Sequence, residues 1–182
     1  MLIRPATSAD AADIAALLDE AFGPARRTRT AALLRGGSLP LPASLVARGE
    51  DGTLAGSLQF FPVTLAAAGA AWPLTLLGPM AVARAARSQG LGRRLLAAAL
   101  DRADAAGLDP IVLIGDLPYY GPAGFSAVET GDWHLPGPVE RDRLLLRRRT
   151  APPLPMVADL VPAERAARCV TRADPSPNLA DA

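Results

Sequence analysis

The sequence predicts an α/β domain, and three observations carry that prediction. Two stretches, Ile14 to Phe22 and Gly90 to Ala106, repeat apolar residues with the period of a helix. Between and after them lie runs with strand character, two of them joined by the turn signal Asp51-Gly52. One later run, Ile111-Val112-Leu113-Ile114, is apolar without alternation, as a strand covered on both faces must be. At 182 residues the chain has room for one domain with a full core.

Taken in order, residues 2 to 6 read as a short strand, and Thr7 or Ser8 caps a helix whose Ile14, Leu17, Leu18, Ala21 and Phe22 share a face. Gly23-Pro24 stops it. A second helix is expected over Arg27 to Arg35, ending at Gly36-Gly37. Ser44 to Gly49 and Thr53 to Leu65 read as strands, followed by a small-residue loop from Ala66 to Ala71 and a fourth strand from Leu74 to Ala83. The next helix presents Leu91, Leu95, Ala99 and Ala103 on one face, widened by Leu96 and Leu100, and Gly107 caps it. Gly124 to Val128 and Leu144 to Leu146 are expected as the last strands. From Ala151 onward six prolines in 32 residues and weak periodicity predict a tail, with a short helix at Ala163 to Cys169.

Composition narrows the function. A net charge of +1 gives no reason to expect nucleic acid or an anionic membrane as partner. All 19 basic residues are arginine, so no lysine can act as nucleophile, Schiff-base former or Walker-type phosphate ligand. The single Cys169 excludes an intrachain disulfide and any multi-cysteine metal site, and no metal is expected. The thiol count, the lack of a signal-like start and the lack of a long apolar stretch predict a soluble, cytoplasmic protein. The basic run Arg147-Arg148-Arg149 has no interleaved aromatics and reads as a solvated strand exit.

The chemistry points to Arg87-Ser88-Gln89-Gly90-Leu91-Gly92-Arg93-Arg94, at the junction of the fourth strand and the second amphipathic helix. The first amides of a helix have no partner within it and its N-terminus carries about half a positive charge, so an anion satisfies both. From Thr53 through Leu100 there is no Asp or Glu, while Arg84, Arg87, Arg93 and Arg94 cluster at the turn. Such a stretch suits a polyanion. A Walker A sequence is absent, and the glycine spacing and strand position differ from the dinucleotide fingerprint.

Leu77-Gly78-Pro79-Met80-Ala81-Val82, then Arg87 to Gly92, then Ile111 to Asp116, then Tyr119-Tyr120-Gly121-Pro122-Ala123-Gly124-Phe125 resemble, in this order, the GNAT superfamily of acyl-CoA-dependent N-acyltransferases. More narrowly they resemble its bacterial YhbS-like branch of predicted acetyltransferases. The resemblance covers residues 1–149, leaving 150–182 as a Pro-rich C-terminal tail. It implies a mixed, mostly antiparallel sheet of six to seven strands, splayed between strands 4 and 5 and flanked by about four helices. It implies acetyl-CoA as cosubstrate, with the strand around Ala81 and Val82 pairing with the pantetheine arm and the run Arg87, Ser88, Gln89, Gly90, Leu91, Gly92 and Arg93 holding the pyrophosphate.

The same resemblance puts Tyr120 at the general-acid position, where a phenol protonated at neutral pH donates toward the departing thiolate. Tyr119 reads as packing. The sequence departs from the branch at Pro122-Ala123 and at Arg84-Ala85-Ala86, and the acid-free span leaves no strand Glu to act as base. Asp116 and His134 are the base candidates, beside a water relay or an acceptor that enters neutral. The predicted reaction is acetyl transfer to a primary amine by direct attack. The alternatives are a non-catalytic acyl-CoA sensor or partner module, and a loop whose role is structural. The amine acceptor and the oligomeric state, homodimer included, are left open.

Overall fold

The computed structural model describes residues 1–165; Cys169 and the end of the helix expected from Ala163 lie outside them. Eight strands form one sheet: β1 (Leu2–Pro5), β2 (Leu45–Arg48), β3 (Leu54–Ala67), β4 (Ala70–Val82), β5 (Ile111–Ile114), β6 (Asp132–His134), β7 (Leu144–Arg147) and β8 (Val157–Pro162). Four α-helices accompany them among the described residues: α1 (Ala11–Phe22), α2 (Thr30–Arg35), α3 (Leu91–Ala105) and α4 (Leu117–Tyr120). The strand order is β1-β2-β3-β4-β5-β7, with β8 beside β3 and β6 beside β8. Only β4–β5 and β6–β8 are parallel, so the sheet is mixed and mostly antiparallel, with one strand more than the six to seven expected.

Alternation decides which face each strand residue takes. Leu58, Phe60, Leu77, Ile111 and Leu113 pack under α3, together with its stripe Leu91, Leu95, Ala99 and Ala103. Their neighbours Phe61, Val63, Leu74, Leu76 and Val112 form the opposite core with Leu34 of α2, while Ile14, Leu17 and Leu18 of α1 close over Val46 and Ala81. The four residues of β5 thus serve both faces, as their unbroken apolar run predicts. Gly56 lets α3 lie close to β3, since a Cβ there would stand 2.8 Å from Leu95 Cδ1.

Asp10 ties the start of α1 to the sheet edge. Its buried carboxylate accepts from Arg4 (2.7 and 2.8 Å), from Arg48 (2.7 and 3.2 Å) and from the Thr7 amide (2.9 Å). These bonds hold its carboxyl far below the ordinary carboxylate range, the Arg4 bond first.

Three expectations are corrected. The loop at Ala66 to Ala71 is instead a two-residue hairpin turn, with Ala67 opposite Ala70 and positive φ at Ala68 (48°) and Gly69 (78°). Both central residues in that region give a type I′ turn, whose twist lets β3 and β4 run on into it. The strand expected at Gly124 to Val128 is reduced to one bridge, Ser126 to Leu146, because Gly124 ends a 3₁₀ turn in the left-handed region (φ 88°). The domain does not stop at residue 149. Because β2 covers β3 only as far as Leu58, the edge at Val63–Ala66 is open, and β8 pairs there with Ala158 and Leu160 turned inward. Trp133 Nε1 donates to Pro155 O (2.9 Å), securing the segment that leads into β8.

One feature of the sheet creates the site. The parallel pair β4–β5 holds through only two positions, Thr75 with Ile111 and Leu76 with Val112. Beyond them the strands separate. β4 runs on to Val82 with β3 on one side and, among the described residues, no strand on the other, so the main chain of 77–82 presents a free edge at the splay.

Candidate active site

The turn between β4 and α3 is built for open amides. Ser88 (φ 62°) and the N-cap Gly90 (φ 72°) both lie in the left-handed region, and α3 begins at Leu91. Its first internal bond runs from Arg94 N–H to Gly90 O (3.1 Å), so the amides of Leu91, Gly92 and Arg93 precede the ladder. The Leu91 side chain itself is buried under β3 and leaves only its main chain to the turn. Arg87 Nε donates to Val82 O (3.2 Å) and Gln89 Nε2 to Ala85 O (3.1 Å), which fold the loop back onto the end of β4. Arg84, Arg87, Arg93 and Arg94 are exposed, and none has an acidic partner among the described residues.

The tyrosine pair faces two ways. Asp116 turns the chain after β5: its carbonyl accepts from the amides of Tyr119 (2.9 Å) and Tyr120 (3.1 Å). Tyr119 then points to α3, its hydroxyl 2.7 Å from where a Cβ on Gly92 would lie. Tyr120 turns back to β5 and lays its ring on Gly115, so closely that no side chain fits at that position. It also meets Phe125 edge to face at 6.0 Å and Tyr119 at 4.9 Å. Burial, with Tyr119 and Asp116 nearby, pushes the Tyr120 phenol up to about 12; burial raises Tyr119 as well, against the pull of Arg93.

A cavity of about 1020 Å³ opens at the splay on the α1 and α2 side. Its walls are the free stretch of β4 at Leu77–Met80, the end of β5 through Asp116, Tyr120, the segment from Arg26 to Arg35, and the loop from Pro138 to Arg143. Thr30 Oγ1 donates to Pro138 O (2.6 Å) and joins two of those walls. The volume is at the upper end of the range for small-molecule sites.

The structure brings Tyr120 and Asp116 together in this cavity and leaves His134 out of it. His134 lies on β6 with Nδ1 3.7 Å from Asp159. The Asp116 carboxylate is exposed and stands 3.2 Å from Arg143 Nε. Ala81 and Val82 lie on the free edge, Ala81 with its side chain buried beneath α1. Arg26, Arg29, Arg35, Glu140 and Arg143 are cavity residues that the sequence motifs do not mark, whereas the close-fitting Gly115 falls within the run Ile111 to Asp116. The basic run is spent internally: Arg147 and Arg149 pair with Asp104 (2.8 and 2.7 Å) and Arg148 with Glu129 (2.9 Å). Among the described residues no cluster of three His, Cys, Asp or Glu could hold a metal, and no helix is long and apolar enough to cross a membrane.

A sheet splayed beside a helix that starts with open amides makes a cleft suited to an extended ligand that carries a phosphate group. The sequence profile of the acetyltransferase (GNAT) domain matches residues 2–128, and the chain belongs to that family. It is 33% identical over 125 residues to the uncharacterized N-acetyltransferase YhbS of Escherichia coli K12, covering 69% of this chain and 73% of the relative. The crystal structure of E. coli YhbS in complex with CoA superposes with a TM-score of 0.73 at 27% identity, over 92% of this chain and 91% of that one. A GNAT family acetyltransferase from Brucella melitensis in complex with acetyl-CoA gives 0.64 at 30% identity, over 88% and 94%.

Proposed function

We propose that this protein transfers an acetyl group from acetyl-CoA to a primary amine by direct attack within a ternary complex. The observation that carries the reading is the splay itself: it leaves the β4 edge free from Leu77 to Val82, α3 starts with the open amides of Leu91–Arg93, and a cavity lined by Tyr120 reaches that edge at Leu77–Met80. Its parts suit the two ends of the cosubstrate. The pyrophosphate would lie on the amides from Gln89 to Arg93, where glycines at 90 and 92 keep side chains out of the way and Arg87 and Arg93 add charge. The pantetheine amides would pair with the main chain of Ala81 and Val82. The relatives that hold CoA and acetyl-CoA support acetyl-CoA as the cosubstrate.

Acetyl-CoA supplies the activated thioester; the chain supplies position and hydrogen bonds. The amine nitrogen attacks the carbonyl carbon, the C–S bond breaks, sulfur leaves as thiolate and the nitrogen gives up a proton. Tyr120 donates a hydrogen bond from its hydroxyl to that sulfur. A phenol near 12 against a thiol near 8.5 makes complete proton transfer uphill by about 5 kcal/mol, so Tyr120 acts by donating a hydrogen bond and the thiolate takes its proton from water. Asp116 accepts the proton of the amine and passes it to solvent, to which it is open. An ammonium with a pKa near 10 costs roughly 4 kcal/mol to deprotonate at pH 7, within reach of an enzyme at ordinary turnover.

The test is release of free thiol from acetyl-CoA with a panel of primary amines, with mass spectrometry of the amine. Thiol release matched by an acetylated amine supports transfer. Binding of acetyl-CoA with no transfer to any amine favours the non-catalytic sensor.

A further inference from the structure

We propose that the acceptor carries an anionic group, carboxylate or phosphate, beside its amine, and that Arg35, assisted by Arg29, binds that anion in the cavity Tyr120 shares. The inference rests on the acetyl-transfer reading and names its substrate class.

Six charged side chains line the cavity: Arg26, Arg29, Arg35, Arg143, Asp116 and Glu140. Arg26 is engaged with Asp19 (2.7 Å), and Arg143 lies beside Asp116 (3.2 Å) as an ion pair in which its Nε makes no hydrogen bond. Arg29, Arg35 and Glu140 have no ion-pair partner among the described residues. Two positive charges and one negative charge are thus left for a ligand, the complement of an amine that carries an anion. Arg35 is the anchor. It is the last residue of α2, half-buried, with its guanidinium carbon 5.5 Å above the centroid of the Phe61 ring. Burial and the nearby Arg26 push its pKa below the ordinary arginine value, which reflects a charge without a counter-ion. A half-buried charge of this kind is costly alone and favourable when a ligand brings the opposite charge. Stacked on a ring, the guanidinium keeps its N–H edge for two parallel bonds to a carboxylate or phosphate. Glu140 supplies the negative charge that the incoming ammonium needs.

The experiment uses the full chain and matched pairs: amino acids of several lengths against their decarboxylated amines, and phosphoethanolamine against ethanolamine. Binding to the CoA-loaded protein is read by calorimetry and transfer by thiol release. The expected result is a preference of at least about 20-fold for the anionic member of the productive pairs; the carboxylate and phosphate arms tell which anion is used. Arg35→Gln should raise KM for that substrate about 30-fold and leave the CoA dissociation constant unchanged, with Arg35→Lys between them. Should Arg35→Gln fail to fold, the exposed Arg29→Gln should raise the same KM about threefold. Equal use of both members, a preference for the neutral member, or no calorimetric binding of any anionic member to the CoA-loaded chain overturns the inference. A chain that binds no CoA overturns the acetyl-transfer reading and this inference with it.

Discussion

The Tyr119 hydroxyl stands 2.7 Å from the point where a side chain on Gly92 would begin, so the tyrosine turn after β5 and the first turn of α3 press on each other across the splay. Gly92→Ala must push one of them aside. The expected loss is about tenfold in CoA affinity, the ~1.4 kcal/mol of a modest overpacking. Removing the hydroxyl makes the room back, so Gly92→Ala with Tyr119→Phe should recover most of the affinity. A double variant as weak as the single one would show that Gly92 serves some other contact; titration calorimetry reads both.

Tyr120→Phe separates chemistry from binding. It should lower kcat by about 100-fold and leave the acetyl-CoA dissociation constant within about twofold. The hydroxyl also leaves a signature in stability against pH. With a phenol raised from near 10 unfolded to about 12 folded, its contribution of roughly 2–3 kcal/mol is fully present below pH 10 and disappears as pH rises from 10 through 12. Denaturant melts of the wild type should fall across that window more steeply than melts of Tyr120→Phe. Parallel curves would remove the buried phenol from the account.

Asp10 governs the acid side. Its folded carboxyl is held far below its unfolded value, so its contribution is present at neutral pH and is lost as pH falls below about 4 toward the folded value. Asp10→Asn leaves Arg4 and Arg48 without their shared counter-ion and should destabilise the fold by about 3 kcal/mol. The variant should also lose part of the acid limb seen in wild-type melts. An unchanged Tm at pH 7 would contradict the anchoring role.

The sequence makes legible what depends on local pattern. Ile14, Leu17 and Leu18 repeat along one helical face and are buried; Ile111 to Ile114 lack alternation and are packed on both sides. The turn from Arg87 to Arg94 is legible as a glycine-rich helix start for the same reason, since its glycines, arginines and acid-free surroundings lie within one stretch of chain. β8 escapes notice because its alternation spans only Val157 to Pro162 and prolines crowd the residues before it. The acceptor side escapes for a deeper reason. Arg35, Asp116, Glu140 and Arg143 are neighbours only because the sheet splays and Thr30 ties α2 to the loop at Pro138, a meeting of residues some hundred positions apart. No spacing along the chain records it. Gly115 shows the limit well: the Tyr120 ring lying on it, with Leu113 Cδ1 at 2.9 Å, leaves no room for a side chain.

The most direct measurement is calorimetric titration of the full chain with acetyl-CoA, run beside Gly90→Asp. Gly90 is left-handed (φ 72°) with open space around it; aspartate is among the few side chains that visit this conformation, at a modest strain, so the fold should stand. Its charge, however, would face the pyrophosphate across the open amides at a cost of about 1–3 kcal/mol. The wild type should bind acetyl-CoA at one site, and Gly90→Asp should bind at least about tenfold more weakly with an unchanged circular dichroism spectrum. Equal affinity in the two proteins, or no binding by the wild type, would contradict the assignment of this turn to the cosubstrate.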